Sequence, residues 1–173
     1  PLWECVRENK RDLPWRRRMD AYRVWISESM LQQTRVEAVR PYYERFLEEL
    51  PYVKALAEVP EERLLKLWEG LGYYNRARNL KAAAVQIMEE FGGRFPDRYE
   101  EIRSLKGIGS YTAGAIASFV YNIPKPAVDG QVFRVVTPLL AVPDDITKAS
   151  TRRKIEALPE EVTRRARAVE WMQ

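Results

Sequence analysis

Apolar residues recur along this chain at helical spacing rather than in alternation, as at Leu56, Val59, Leu64, Leu65, Leu67 and Trp68, and again at Leu80, Ala83, Ala84, Ile87 and Met88. The pattern predicts an all-α protein. Breakers interrupt it at short intervals: Pro14, Pro41, Pro51, Pro60, Gly70 and Gly72, Gly92 and Gly93, Pro96, Gly107 and Gly109, Pro124 and Pro126, Gly130, Pro143 and Pro159. They divide the chain into many short helices joined by tight turns. Cap chemistry marks two helix starts, Asp97 ahead of Arg98 to Ile102, and Ser150 or Thr151 ahead of Arg152 to Leu158. No internal repeat, low-complexity tract or flexible linker separates the elements. The charge-dense stretch after Thr151 reads as a helical pair broken at Pro159, or as a truncated edge.

Composition narrows the chemistry. With 173 residues, 46% hydrophobic and 31% charged, the chain has apolar mass for a core, and disordered and collagen-like classes are excluded. No apolar run approaches the roughly 18 residues of a membrane span, and charges occupy the place where a signal peptide would have its apolar stretch. The expected setting is cytoplasmic or nuclear, with no membrane partner. The lone Cys5 makes no internal disulfide and no multi-cysteine metal site, and the absence of histidine removes Ser-His, Cys-His and His-zinc mechanisms built from this chain alone. Chemistry is left to carboxylates, Tyr, Lys, Ser/Thr and the backbone. A net charge of +4 mildly favours an anionic partner such as nucleic acid.

The segment Leu105-Lys106-Gly107-Ile108-Gly109-Ser110-Tyr111-Thr112-Ala113 joins one helical pattern (Tyr99 to Ser104) to another (Thr112 to Tyr121). Two glycines two apart permit a hairpin that aims backbone N–H groups outward at the positive end of the next helix, where a phosphate binds. A bare G-x-G is more often an ordinary helix-to-helix turn. The full string resembles the helix–hairpin–helix of the DNA glycosylase superfamily that contains endonuclease III. That resemblance implies hairpin amides on the DNA backbone around Lys106, Gly107, Gly109 and Ser110. It also implies an alkali cation, Na+ or K+, on the main-chain oxygens of Arg103, Leu105 and Ile108.

Two carboxylates stand out. Asp129 lies where an apolar stretch turns into a new helix, and an isolated Asp-Gly there is usually an N-cap. Glu28, on a helix, has Val24 one turn before it and Leu31 one turn after, so it shares a face with apolar neighbours. Most helical glutamates are solvated or ion-paired, but an apolar setting would raise the pKa and keep a proton available for general acid catalysis.

The string Trp25-Ile26-Ser27-Glu28-Ser29-Met30-Leu31-Gln32-Gln33-Thr34 closely resembles the signature of the adenine DNA glycosylase (MutY) family. Leu13-Pro14-Trp15-Arg16, Trp68-Glu69-Gly70-Leu71-Gly72-Tyr73-Tyr74 and Ala127-Val128-Asp129-Gly130 follow in the family's order and spacing, and the likeness covers roughly residues 12–153. It implies a helix–hairpin–helix glycosylase fold: residues 21–124 as a six-helix barrel module with the hairpin motif at 99–121, residues 1–20 as the N-terminal helix of a second domain, and residues 125–173 as further helices of that domain. The implied activity is base-excision repair on double-stranded DNA by a monomer, hydrolysing the glycosidic bond of adenine opposite 8-oxoguanine or guanine.

In the family, the glutamate at Glu28 protonates adenine and the aspartate at Asp129 faces the extruded nucleotide. Tyr111 stands where endonuclease III-like enzymes have a strand-cleaving lysine, and its hydroxyl would orient Asp129 or the sugar. Gln33, beside Gln32, wedges into the stack. Thr34, Leu71 and Tyr73 meet the opposing guanine, and Trp15, Arg16 and Leu31 line the adenine pocket. Without that likeness, Tyr73-Tyr74 would be read as core, Arg16-Arg17-Arg18 as a solvated run, and Arg76, Arg78 and Lys81 as a solvated face or phosphate contacts.

Departures are Gln131 where the family usually has Asn, and Pro138 in place of a basic residue. The family's four-cysteine iron–sulfur cluster, the second adenine-binding glutamate near it and the C-terminal guanine-recognition domain find no counterpart in this sequence, so no cluster is expected. Rival readings are a non-catalytic helix–hairpin–helix DNA-binding module and a mismatch glycosylase of other base specificity.

Overall fold

The computed structural model describes residues 12–123, and these are helical with no strand among them. Eight helices follow in order: α1 (Pro14–Arg17), α2 (Ala21–Leu31), α3 (Val36–Glu49), α4 (Val53–Glu58), α5 (Glu61–Trp68), α6 (Asn75–Glu90), α7 (Tyr99–Ser104) and α8 (Ser110–Tyr121). The all-α expectation holds. Between residues 21 and 123 there are seven helical segments, one more than a six-helix count, because Val59 and Pro60 turn extended between α4 and α5.

Helix α2 is the central element. Asp20 caps it by accepting the Arg23 amide at 2.9 Å, and eight of its eleven residues are buried. It packs against α3, α6 and α8, while α4 lies on α6 and α7 on α8. The surrounding helices each supply one apolar stripe, such as Val39, Tyr43 and Phe46 from α3, or Leu80, Ala83, Ala84 and Ile87 from α6. Trp25 and Trp68 are fully buried, meeting Phe95 and Phe46 edge-on at 5.5 and 6.1 Å between ring centres.

Two local readings are corrected. Pro41 does not break a helix but lies inside α3, on its exposed face, where the lost hydrogen bond is borne next to solvent. Asp97 does not cap α7: the helix starts at Tyr99, and its N-cap is the extended Arg98, which makes no side-chain cap bond. Helix α8 opens at Ser110, two residues ahead of the expected Thr112, directly off Gly109. It ends at Asn122, whose left-handed backbone (φ 54°) turns the chain out. The Ser150 or Thr151 cap, residues 1–11 of the proposed segment 1–20 and all of the proposed segment 125–173 lie outside the described residues.

Candidate functional site

Glu28 is half-buried on α2, in the wall of a cavity of about 180 Å³. The other walls are apolar for the most part: Leu13, Trp15 and Met19 from the segment around α1, Val24 and Leu31 from α2, Val36 from α3 and Phe119 from α8. Arg16 and Ser27 add polar groups, and the Ser27 hydroxyl is turned back onto the Val24 carbonyl at 2.9 Å. Trp15 is only 8% exposed and stands edge-on to Tyr43, 5.4 Å between ring centres, which fixes the indole as a wall. Glu28, Trp15, Arg16 and Leu31, singled out from separate stretches of sequence, are therefore brought together. Met19, Ser27, Val36 and Phe119 were missed. Phe119 follows the Ala-rich run of α8, and nothing in its local spacing points to a cavity.

Next to this pocket two turns carry exposed side chains. Gln32, Gln33 and Thr34 follow α2, and Tyr73 and Tyr74 precede α6; Tyr73 is 65% exposed. A groove of about 350 Å³ runs between them, lined by Gln32, Gln33, Tyr73, Tyr74, Asn75, Arg76 and Asn79. Gln33 (φ 57°) and Tyr73 (φ 48°) both hold left-handed backbone, a conformation costing a non-glycine residue roughly 1–2 kcal/mol. Thr34 is half-buried, with its hydroxyl donating to the Gln32 carbonyl at 3.3 Å. Leu71 is different. Its side chain belongs to the core, 6% exposed, and its carbonyl accepts from Arg76 at 3.1 Å.

Of the basic residues read as a solvated face or phosphate contacts, Arg76 and Lys81 are corrected, whereas Arg78 lies on the exposed face. Arg76 is half-buried, and its guanidinium spans both turns, donating to the carbonyls of Ser29, Met30 and Gln32 on one side and of Leu71 and Gly72 on the other. It lies over the rings of Trp68 and Tyr73, 5.3 and 5.6 Å from their centres. Burial lowers its pKa, yet a guanidinium stays charged at any physiological pH. Lys81 caps the end of α4 by donating to the carbonyls of Ala57 and Val59. Arg78 pairs with Glu61 at 2.9 Å, and Arg17 with Asp12 at 2.6 Å.

The hairpin between α7 and α8 presents Lys106, Gly107, Gly109 and Ser110 on the exposed surface. Gly107 has φ 76°, the left-handed turn that the sequence anticipates for a tight hairpin. The Lys106 amide is engaged by the Gln86 side-chain oxygen at 3.2 Å, and the Ile108 amide by the Leu105 carbonyl at 3.1 Å. Gly109 offers no side-chain cap to α8, so the first-turn amides, from Ser110 onward, point out of the helix without an acceptor supplied by its cap. Tyr111 is half-buried in that same turn. Asp129, the second carboxylate, lies outside the described residues.

A family model described as "HhH-GPD superfamily base excision DNA repair protein" matches residues 26–160. The chain belongs to the HhH-GPD superfamily. The HhH-GPD match begins two residues before Glu28 and takes in both turns, the hairpin and Asp129. Among curated proteins, the chain is 46% identical over 127 residues to "Adenine DNA glycosylase" of Buchnera aphidicola subsp. Baizongia pistaciae, covering 73% of this chain and 36% of that protein. It is 39% identical over 175 residues to the protein of that name from Homo sapiens, covering 96% and 32%. The chain thus spans about a third of the length of these relatives. Two solved structures share the HhH-GPD fold: a thermostable thymine-DNA glycosylase (TM-score 0.82, 24% identity, 99% of this chain and 81% of that one) and a non-covalent endonuclease III–DNA complex (0.75, 21%, 92% and 76%).

Proposed function

We propose that this chain is the base-excising part of an adenine DNA glycosylase, which extrudes adenine paired with 8-oxoguanine or guanine from duplex DNA and hydrolyses its N-glycosidic bond. The observation that carries the reading is the placement of Glu28: a half-buried carboxyl in a small pocket walled by Trp15, Leu31, Val36 and Phe119, adjacent to the exposed Gln33 and Tyr73. The names of the relatives point the same way.

A base inside a duplex is out of reach of any side chain, so it must leave the stack first. Gln33 and Tyr73 enter the vacated space and the opposing side, with Gln32 and Thr34 beside them. Within the pocket Glu28 donates a proton to the adenine ring, which makes it a neutral leaving group as the bond to the sugar breaks. Ionised Asp129 stabilises the cationic sugar until water adds to it. One protonated and one ionised carboxyl is the division of labour seen in glycoside hydrolysis. Tyr111, in a position where a lysine would form a Schiff base, orients Asp129 or the sugar and leaves the strand uncut. The hairpin grips a phosphate through its outward amides and Lys106.

An alkali cation, Na+ or K+, would sit on the other side of the hairpin. Arg103 lies in the last turn of α7, at the negative end of the helix dipole, and the carbonyls of Leu105 and Ile108 come after it; the Leu105 carbonyl accepts the Ile108 amide at 3.1 Å and keeps a second lone pair for a cation. They would hold the cation and so brace the hairpin against the phosphate. The chain acts as a monomer in the nucleoid or nucleus.

The test is a labelled duplex with one adenine opposite 8-oxoguanine, incubated with the protein and then treated with alkali. Strand scission at that adenine, seen only after alkali, is the expected result. Binding without release would make the chain a non-catalytic DNA-binding module, and release of a different base would make it a glycosylase of other specificity.

A further inference from the structure

Arg76 grips the carbonyl immediately ahead of Gln33 and the one immediately ahead of Tyr73. One terminal nitrogen reaches Gln32 O at 2.7 Å, before Gln33, and the other reaches Gly72 O at 3.0 Å, before Tyr73. A carbonyl and the residue after it share one peptide plane, so fixing the carbonyl's direction fixes where the next φ begins. The same two nitrogens take the Ser29 and Met30 carbonyls at the end of α2, the Leu71 carbonyl, and the Thr34 hydroxyl at 3.3 Å. Among the described residues, Gln33 and Tyr73 share their positive φ with only one other non-glycine, Asn122, at a helix end.

We propose that Arg76 is a positioning residue: a single guanidinium that sets both peptide planes, and thereby the spacing and direction at which Gln33 and Tyr73 are presented to DNA. This rests on the reading above that those two side chains enter the duplex. The chemistry calls for arginine. Its planar fork puts donors on opposite edges, so one side chain bridges two turns, whereas the lysine ammonium is one point and cannot span them. The Tyr73 ring, stacked near the guanidinium, is held by the same group.

Two measurements test it on Arg76→Lys and Arg76→Gln. In the protein without DNA, hydrogen exchange of the amides at 32–34 and at 71–74 should quicken together, by roughly tenfold or more, the scale of losing charge-assisted hydrogen bonds, while amides in the middle of α6 and α8 keep their protection. With a duplex carrying 2-aminopurine beside the lesion, the rise in fluorescence that reports unstacking should fall severalfold, with affinity for undamaged duplex little changed. Exchange that quickens in one turn only, in neither, or evenly throughout the protein overturns the proposal, as does loss of the fold in both variants, since Arg76 would then be a general determinant of stability. If the parent protein itself fails to unstack the duplex, the reading of Gln33 and Tyr73 fails instead, and the exchange data still judge the role of Arg76.

Discussion

Gly107 in the hairpin lies against the side chain of Asn79 on α6 so closely that a β-carbon at 107 would fall 2.6 Å from Asn79 Cβ. The hairpin is therefore seated on α6 as well as joined to α7 and α8. Gly107→Ala combines this clash with a left-handed backbone (φ 76°), and it should cost about 2 kcal/mol of stability. The midpoint of urea unfolding measures that loss, and affinity for matched and mismatched duplexes should fall in parallel.

Lys106 is exposed at the tip of the same hairpin. As a phosphate contact it binds without regard to sequence, so Lys106→Ala should weaken all duplexes alike and reduce the slope of log affinity against log salt by about one. Titrations at several salt concentrations check this. A loss confined to the lesion duplex would contradict the role.

For the carboxylates the expected signature is a loss of turnover with binding retained. Glu28→Gln preserves size and hydrogen bonding but not the transferable proton, and base release should fall by about 10²–10⁴ in single-turnover assays. A group that acts in its protonated form gives a rate that declines as pH rises through its pKa, and this limb of the profile should vanish in Glu28→Gln. Asp129→Asn removes the charge opposed to the cationic sugar and should collapse release equally, again with duplex binding intact.

Tyr22 and Tyr43 provide a contrast in stability. The Tyr22 hydroxyl donates to the Leu50 carbonyl at 2.8 Å, so Tyr22→Phe should cost about 1 kcal/mol. The Tyr43 hydroxyl is buried with only a poorly aligned approach from Arg23 and no well-formed hydrogen bond, so Tyr43→Phe should raise stability by about 1 kcal/mol at neutral pH. Burial pushes the Tyr43 phenol up to about 12, an effect that nearby Arg23 only partly offsets. A raised phenol pKa means stability that is intact below the ordinary value of about 10 and is lost as pH climbs through 12. Tyr43→Phe should accordingly move alkaline unfolding to higher pH, as followed by circular dichroism.

The helical class and the hairpin were legible because both are written locally: the apolar period of 3.6, and a glycine at 107 where the turn needs left-handed backbone. Glu28 was legible for the same reason, since its apolar neighbours at 24 and 31 lie on its own helix. Arg76 and Lys81 were not. The partners of Lys81, and three of the carbonyls held by Arg76, lie more than twenty residues away, and in the sequence the two look like any basic residues on a polar helix face. Pro41 misled because proline's cost depends on whether the missing bond faces water, which the chain alone does not say. Met19, Val36 and Phe119 come from three separate segments and become neighbours only when α1, α3 and α8 close on α2.

Helix α8 starts at the hairpin with Ser110 and delivers Phe119 to the pocket wall nine positions later. At 1.5 Å per residue that stretch is a rod of roughly 13 Å, buried along most of its length and without a break. It works as a ruler: the distance from the hairpin end to the pocket end is set by a count of residues, not by the flexibility of a loop. One inserted residue would lengthen the rod by about 1.5 Å and swing Phe119 about 100° around the axis, away from the pocket. Substitutions can be absorbed along such an element more readily than any change in its length.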